Sequence, residues 1–129
     1  MAYLWIAIGG ALGSIARYGC SGVVARLTGG VFPYGTLVVN VSGALLIGFL
    51  AAMSLPEGRV LMPPSARLFT MTGICGGYTT FSTFSLETLN LLRDGEWISA
   101  LANIFFSVLL SLLAVWIGYS AALKLNLRA

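Results

Sequence analysis

Residues 73–87 read GICGGYTTFSTFSLE, and apolar sequence precedes this stretch. Three of the five positions from 73 to 77 are glycine, a poor helix former, and the β-branched pair Thr79–Thr80 follows at once. We therefore predict that a long apolar helix breaks near Gly76–Thr80. Unwound backbone at membrane depth must be buried in protein or line a polar cavity. The carbonyl groups that it frees commonly coordinate a cation such as Na⁺.

The chain as a whole is unusually apolar. Of its 129 residues, 58% are hydrophobic and 9% are charged, and the mean hydropathy is +0.94, whereas soluble domains are about 25% charged. A helix needs about 20 apolar residues to cross a bilayer. The long gaps between charged residues predict one all-α integral membrane domain over residues 1–129. Its four transmembrane helices are expected near 3–26, 34–54, 66–91 and 97–123.

Positive residues are nearly balanced between the two ends of these helices. One side carries Arg59, Arg67, Lys124 and Arg128, and the other carries Arg26 and Arg93, with Arg17 an ambiguous third. The Lys and Arg bias sets the orientation of a membrane protein. A bias this weak predicts insertion in both orientations. A dual-topology product pairs naturally as an antiparallel two-fold homodimer, which supplies between chains the inverted repeat of many transporters.

Aromatic and hydroxyl side chains follow the predicted break. Phe81 and Phe84 are three residues apart and share one helix face. Packing alone explains many such pairs, but the positive edges of two rings are also suited to contact a small anion. The adjoining face carries Thr80, Thr83 and Glu87, with Ser82 beside them. This combination indicates a polar path for an anion.

The second and fourth helices add further polar groups. They contribute Thr36 and Asn40 in one helix, and Ser99, Asn103, Ser107 and Ser111 in the other, always four residues apart. A lone serine is equally well explained by a bond to its own helix. An amide in hydrocarbon needs partners, and the Asn40 NH₂ group can donate to an anion. Such donors are needed, because removing a compact ion from water costs tens of kcal/mol in the Born limit.

Charged groups in the membrane are few. Arg17 either supplies positive potential to the path or extends to the membrane interface. The chain has no His, and Lys124 is its single lysine, which removes most metal-site, proton-shuttle and phosphate-loop chemistry. No nucleophile–base pair is present, so we do not expect an enzyme. The scattered cations do not form a nucleic-acid footprint.

Two smaller expectations concern the cysteines and the N-terminus. Cys20 and Cys75 lie in apolar stretches, where a free thiol behaves as a small hydrophobe, so we expect no disulfide between them. No basic region precedes the first apolar run, and this apolar run contains no small-residue cleavage site. We therefore expect it to be a retained membrane span and not a signal peptide.

The stretch GGYTTFSTFS at 76–85 resembles the Fluc (CrcB) family of fluoride channels. The resemblance extends to GGALG at 9–13 with Arg17, and to GTLVVN at 35–40 with Gly43. The length of the chain and the number of spans agree as well. The resemblance thus covers essentially the whole chain.

The resemblance implies an antiparallel, dual-topology homodimer with two fluoride pores in a bacterial inner membrane. It implies that Phe81 and Phe84 present their edges to fluoride and that Asn40 lies in the pore. The implied pore hydroxyls are Thr79, Thr80, Ser82 and Thr83 and, by spacing only, Ser107 and Ser111. From its spacing to Asn40 in the second helix, we expect Thr36 to line the same path. The resemblance also implies a structural Na⁺ at the dimer centre, held by main-chain carbonyls of Gly76 and Thr79. Arg17 would then position neighbouring groups or supply positive electrostatic potential, and Glu87 would face a vestibule of the pore.

These expectations define a passive channel that exports cytoplasmic fluoride and protects the cell from it. The main alternative is a proton-coupled exporter of the small multidrug resistance type, which needs a titratable membrane carboxylate. Its first span would have to supply an acid, and here that span carries Arg17 instead. A potassium-type carbonyl filter needs a re-entrant loop, whereas this motif lies inside a span. A purely structural subunit would not need the polar residues of the fourth span.

Overall fold

The computed structural model describes residues 1–55 and 62–127, whose regular structure is entirely helical. The cations Arg59 and Arg128 lie outside the described residues. The helices are α1 (Ala2–Thr28), α2 (Tyr34–Met53), α3 (Pro64–Arg67), a π-helical segment (Leu68–Cys75), α4 (Gly76–Tyr78), α5 (Phe81–Arg93) and α6 (Trp97–Leu127). From α3 to α5 the chain forms one long element that is interrupted only at residues 79–80.

The long helices alternate in direction. At one end, Arg67 Nη2 lies 3.4 Å from Ser54 Oγ, just after α2, and Asn126 Nδ2 donates to the Ala52 carbonyl at 3.0 Å. These contacts bring together the end of α2, the end of the short helix α3 and the end of α6. At the other end, Arg26 and Asp94 line one cleft. The turns there use glycines with positive φ, at Gly29 (59°) and Gly95 (79°), a conformation that costs glycine little.

Glycines allow α1 to contact the third element backbone to backbone. A Cβ atom on Gly13 would overlap the Ile74 carbonyl oxygen, and one on Gly73 would come within 2.8 Å of the Gly9 Cα. A Cβ on Gly77 would likewise meet the backbone of Gly10. Small residues allow this approach between membrane helices. Gly73 and Gly77 therefore serve helix contact.

That finding corrects the predicted extent of the break. Gly76 and Gly77, which we expected to be unwound, are helical and belong to α4. Only Thr79 and Thr80 leave the helical conformation. The physical reason is that the packing of Gly77 on Gly10 offsets the low helix propensity of glycine.

A second close contact joins α2 to α6. A Cβ on Gly48 would overlap the Val115 carbonyl oxygen, and one on Gly118 would overlap that of Leu45. Ala52 and Ala114 are buried in the same helices. The helices α2 and α6 are thus held at a distance that leaves no room for even a methyl group at two points.

The Gly118 contact gives a testable expectation for stability. Gly118→Ala should destabilise the protein by about 1–3 kcal/mol, because overpacking against backbone cannot be relieved by a rotamer change. Thermal unfolding of the detergent-solubilised protein measures this as a lower midpoint. Gly19→Ala is the control, since a Cβ there meets nothing within 4 Å. Equal midpoints for the two variants would contradict the assigned contact.

The outer surface of the described chain is apolar. Trp116, Leu101 and Leu112 of α6 are all exposed. Exposed apolar side chains along a whole helix require an apolar partner, such as lipid or protein. Among the described residues, Tyr34–Met53 and Trp97–Asn126 are long and apolar enough to cross a membrane. The predicted spans 3–26 and 66–91 fall on α1 and on the interrupted third element, and as membrane spans they stay predictions.

Candidate functional site

The interruption of the third element is two residues of extended backbone. Thr79 has φ −80° and ψ 156°, and Thr80 has φ −152° and ψ 114°. Thr80 is also the N-cap of α5, because its Oγ1 accepts a hydrogen bond from the Thr83 N–H at 3.2 Å. The helix therefore stops after Tyr78 and restarts at Phe81 with a capped end.

Asn40 of α2 binds the exposed peptide groups of the interruption. Its Oδ1 accepts from the Thr80 N–H at 2.7 Å, and its Nδ2 donates to the Thr80 carbonyl at 3.0 Å. The side-chain amide thus pairs with the backbone as one β-strand residue pairs with another. We expected its NH₂ group to face an anion, and the structure commits one of its two N–H groups to Thr80.

Hydroxyl groups cluster beside this amide pair. Thr80 Oγ1 donates to Thr83 Oγ1 at 3.0 Å and lies 3.2 Å from Ser82 Oγ. A hydroxyl carries a single proton, so Ser82 is the donor to Thr80. The proton of Thr83 is then left for another acceptor.

Thr36 and Glu87 meet one turn further along. Thr36 Oγ1 donates to Glu87 Oε1 at 2.8 Å, which connects α2 to α5. Glu87 Oε2 is buried, and no hydrogen-bond partner is found for it within the described residues. The carboxyl group therefore adds acceptor atoms to a region whose other side chains are mostly donors.

Two clefts meet at this cluster. One of about 390 Å³ is lined by Arg17 together with Ser14, Tyr18, Ser21, Thr36, Val39, Thr80 and Thr83. The other, of about 730 Å³, lies between the end of α1 and α5, and Thr36, Thr83 and Glu87 line it as well. Arg17, Thr36, Thr80, Thr83 and Glu87 are therefore brought to one place by three helices.

The two phenylalanines are adjacent but differ in burial. Their ring centroids are 5.3 Å apart with the planes tilted by 49°. Phe84 is 8% exposed, whereas Phe81 is 77% exposed and faces outward from the single chain. The predicted pair therefore forms, with one ring in the core and one at the surface.

The serines of α6 contact a different part of α5. Ser107 Oγ donates to Asn103 Oδ1 at 3.3 Å, and Asn103 Nδ2 donates to Thr88 Oγ1 at 2.9 Å. Ser111 is half-buried and is not joined to this set by any described contact. Of the two predicted serines, Ser107 alone is thus linked to α5.

Sequence reasoning missed several of these partners. Tyr78 Oη lies 3.0 Å from Ser42 Oγ and donates to Cys20 Sγ at 3.4 Å. Ser14 Oγ donates to the Gly77 carbonyl at 3.4 Å. Cys20 is a free thiol, as is Cys75. The only sequence signal for these contacts was a polar residue in an apolar helix, which does not identify its partner.

Comparison with known proteins supplies the family. Residues 4–119, nearly the whole chain, match the model of the family described as CrcB-like protein, Camphor Resistance (CrcB). The chain belongs to the CrcB family. The resemblance seen at 76–85 is confirmed, and that stretch lies within the matched region.

Relatives of this CrcB protein align over almost their full length. A protein named fluoride-specific ion channel FluC from Opitutus terrae is 57% identical over 124 residues, covering 96% of this chain and 94% of the relative. Proteins of the same name from Methylocella silvestris and Rhodospirillum rubrum are 56% and 50% identical, each over 126 residues and 98% of this chain, and the alignments cover 96% and 98% of the relatives. A CrcB chain with these apolar helices is a membrane protein.

Proposed function

We propose that this chain is a fluoride-selective passive ion channel that exports cytoplasmic fluoride and so protects the cell from it. The observation that carries the proposal is the near full-length identity of 50–57% to three proteins named fluoride-specific ion channels. The chain is not an enzyme on this account: its polar groups bind and release an ion without bond chemistry. The relatives give no support to the alternative of a proton-coupled drug exporter.

The donors around the interruption support an anion path. Thr83 keeps a hydroxyl proton, and Asn40 keeps one N–H, after their described bonds are counted. Arg17 lines the same cleft as Thr83. Fluoride loses most of its hydration in a narrow path, at a cost of tens of kcal/mol in the Born limit. Several strong donors and one positive charge are what offset such a cost.

The ring edges are the second part of the path. Phe81 and Phe84 lie in the first turn of α5 together with Ser82 and Thr83. We propose that an ion leaving the hydroxyl cluster meets the rings next. An aromatic edge carries partial positive charge without a mobile proton. We propose that the path then continues along α6 by way of Ser107 and Ser111.

A second copy of the chain would complete the site. Phe81 and Gly76 are exposed in the single chain, although both belong to the motif of the interruption. Apart from Arg17, which is ambiguous, the cations of the described residues are Arg26 and Arg93 towards one end and Arg67 and Lys124 towards the other. This balance favours insertion in both orientations. We infer an antiparallel homodimer that encloses Phe81, in a bacterial inner membrane.

Main-chain oxygens at the interruption fit the proposed structural Na⁺. In a continuous helix the Thr80 N–H would bond the Gly76 carbonyl and the Thr83 N–H the Thr79 carbonyl. Here the first donor goes to Asn40 and the second to Thr80 Oγ1. The carbonyls of Gly76 and Thr79 therefore lose their helical donors and keep their partial negative charge. Na⁺ bound there would neutralise these oxygens and fix the interrupted backbone.

Replacing Na⁺ throughout reconstitution by a bulky organic cation tests this site. We expect fluoride release to fall, because such a cation cannot enter a cluster of carbonyl oxygens. Restoring Na⁺ to the same preparation should restore release, and K⁺ serves as the control for ionic strength. Unchanged release in Na⁺-free buffer would contradict the assignment of Gly76 and Thr79.

Fluoride efflux from liposomes tests the function itself. Liposomes that hold potassium fluoride and the pure protein should release fluoride once a potassium ionophore balances charge, at equal internal and external pH. Protein-free liposomes are the control. Release that requires a proton gradient, with none under the ionophore alone, would instead identify a proton-coupled exporter.

A further inference from the structure

A row of buried polar side chains connects α6 to α5 outside the cluster at the interruption. Asn103 is 1% exposed, and its partners Thr88 and Ser107 are buried as well. Thr88 Oγ1 in turn donates to the Phe84 carbonyl at 2.7 Å. The hydrogen bonds thus run without a gap from Ser107 through Asn103 and Thr88 to Phe84.

The chemistry of the groups fixes the direction of this row. The Thr88 proton goes to the Phe84 carbonyl, so Thr88 Oγ1 acts as acceptor towards Asn103. The Asn103 NH₂ group must therefore face Thr88, and its Oδ1 must face Ser107. Ser107 then donates its single hydroxyl proton to Asn103 Oδ1. Replacing any one member leaves a buried polar group without a partner, and such a group is costly.

The position of α5 depends on contacts of this kind. Because Thr79 and Thr80 are extended, α5 does not continue α4. The helix α4 therefore does not fix the rotation of α5 about its axis. Polar bonds attach α5 to its neighbours at Thr80, at Glu87 and at Thr88. Of the three attachments, that at Thr88 lies one turn after Phe84 and connects directly to its carbonyl.

We propose that Asn103 is a positioning residue for fluoride permeation. Acting through Thr88, it holds the Phe84 backbone and with it the Phe84 ring in place. The inference rests on the proposed function, since it assumes that Phe84 contacts fluoride. Asn103 itself takes no part in the path.

Thr88→Val tests the row with little change of shape. The variant removes the acceptor for Asn103, whereas Thr88→Ser keeps the hydroxyl. We expect the ratio of fluoride to chloride efflux to fall about tenfold in Thr88→Val, the scale of one unsatisfied buried group, and to stay at the wild-type value in Thr88→Ser. A role in folding alone would reduce the fraction of active protein but not this ratio.

Asn103→Leu and a double variant complete the experiment. Asn103→Leu should lower the ratio as Thr88→Val does, and the double variant should be no worse than either, because both break one row. Ser99→Ala is the control: Ser99 is in the same helix but bonds to exposed Glu96. If Asn103→Leu does not assemble, the Thr88 pair decides alone.

The outcomes separate the two proposals. Wild-type liposomes that release no fluoride would overturn the proposed function and this inference with it. Wild-type release together with an unchanged ratio in Thr88→Val would overturn the inference alone. Equal losses in Thr88→Ser and Thr88→Val would also overturn it, since the serine keeps the bonds.

Discussion

Asn40→Leu should reduce fluoride efflux to the level of protein-free liposomes. The leucine side chain is similar in size but returns neither of the bonds to Thr80, whose N–H and carbonyl would be left without partners between two helices. Each unsatisfied group costs about 1–3 kcal/mol. The interruption would therefore shift, and with it Thr80, Thr83 and the start of α5.

Two variants sharpen this expectation. Asn40→Asp keeps an acceptor for the Thr80 N–H but sets a carboxylate against the Thr80 carbonyl, so we expect strong suppression from it as well. Asn90→Ala removes an exposed amide of α5 and should transport normally. Size-exclusion elution reports whether each variant still assembles. Normal efflux from Asn40→Leu would show that the amide pair is not needed.

Phe81→Ile should reduce fluoride efflux about tenfold or more while the protein still assembles. Isoleucine is apolar but has no positive ring edge to offer an anion. Because Phe81 is 77% exposed in the single chain, its replacement removes little packing within that chain. The loss of transport would then report on the ring itself.

The chain offers a matched control for this variant. Phe105 is 59% exposed and also pairs with a second ring, that of Phe106, at 5.4 Å between centroids. Phe105→Ile should leave fluoride efflux unchanged, because that pair belongs to α6 and not to the motif at 76–85. Equal loss in both variants would assign the effect to general apolar packing and not to the site.

The sequence predicted the parts of this protein that depend on composition. An apolar chain with charges only at intervals allows little besides long helices, and the regular structure of the described residues is entirely helical. Of the residues 76–80 that were expected to unwind, the β-branched pair Thr79 and Thr80 leaves the helical conformation. The contact of Phe81 with Phe84 followed from their spacing along a helix.

The limits of the interruption and the partners of the site residues depend on contacts between helices. The local sequence pattern does not specify such contacts. The glycines at 76 and 77 were expected to unwind, but the backbone of Gly10 packs on Gly77 and keeps it helical. The partner of Asn40 is a peptide group 40 residues away. Phe81 is exposed beside the buried ring of Phe84, and their spacing along one helix does not specify which of the two faces the core.

The central claim is that this chain forms a fluoride-selective pore. The reversal potential of the current that the protein carries across a planar bilayer tests this claim most directly. Purified protein is placed between a fluoride solution and a chloride solution, so that the two anions compete for the same conductance. The account predicts a current whose reversal potential follows the fluoride gradient and ignores a change in chloride. A reversal potential set by chloride, or no current beyond that of the bare bilayer, would contradict it.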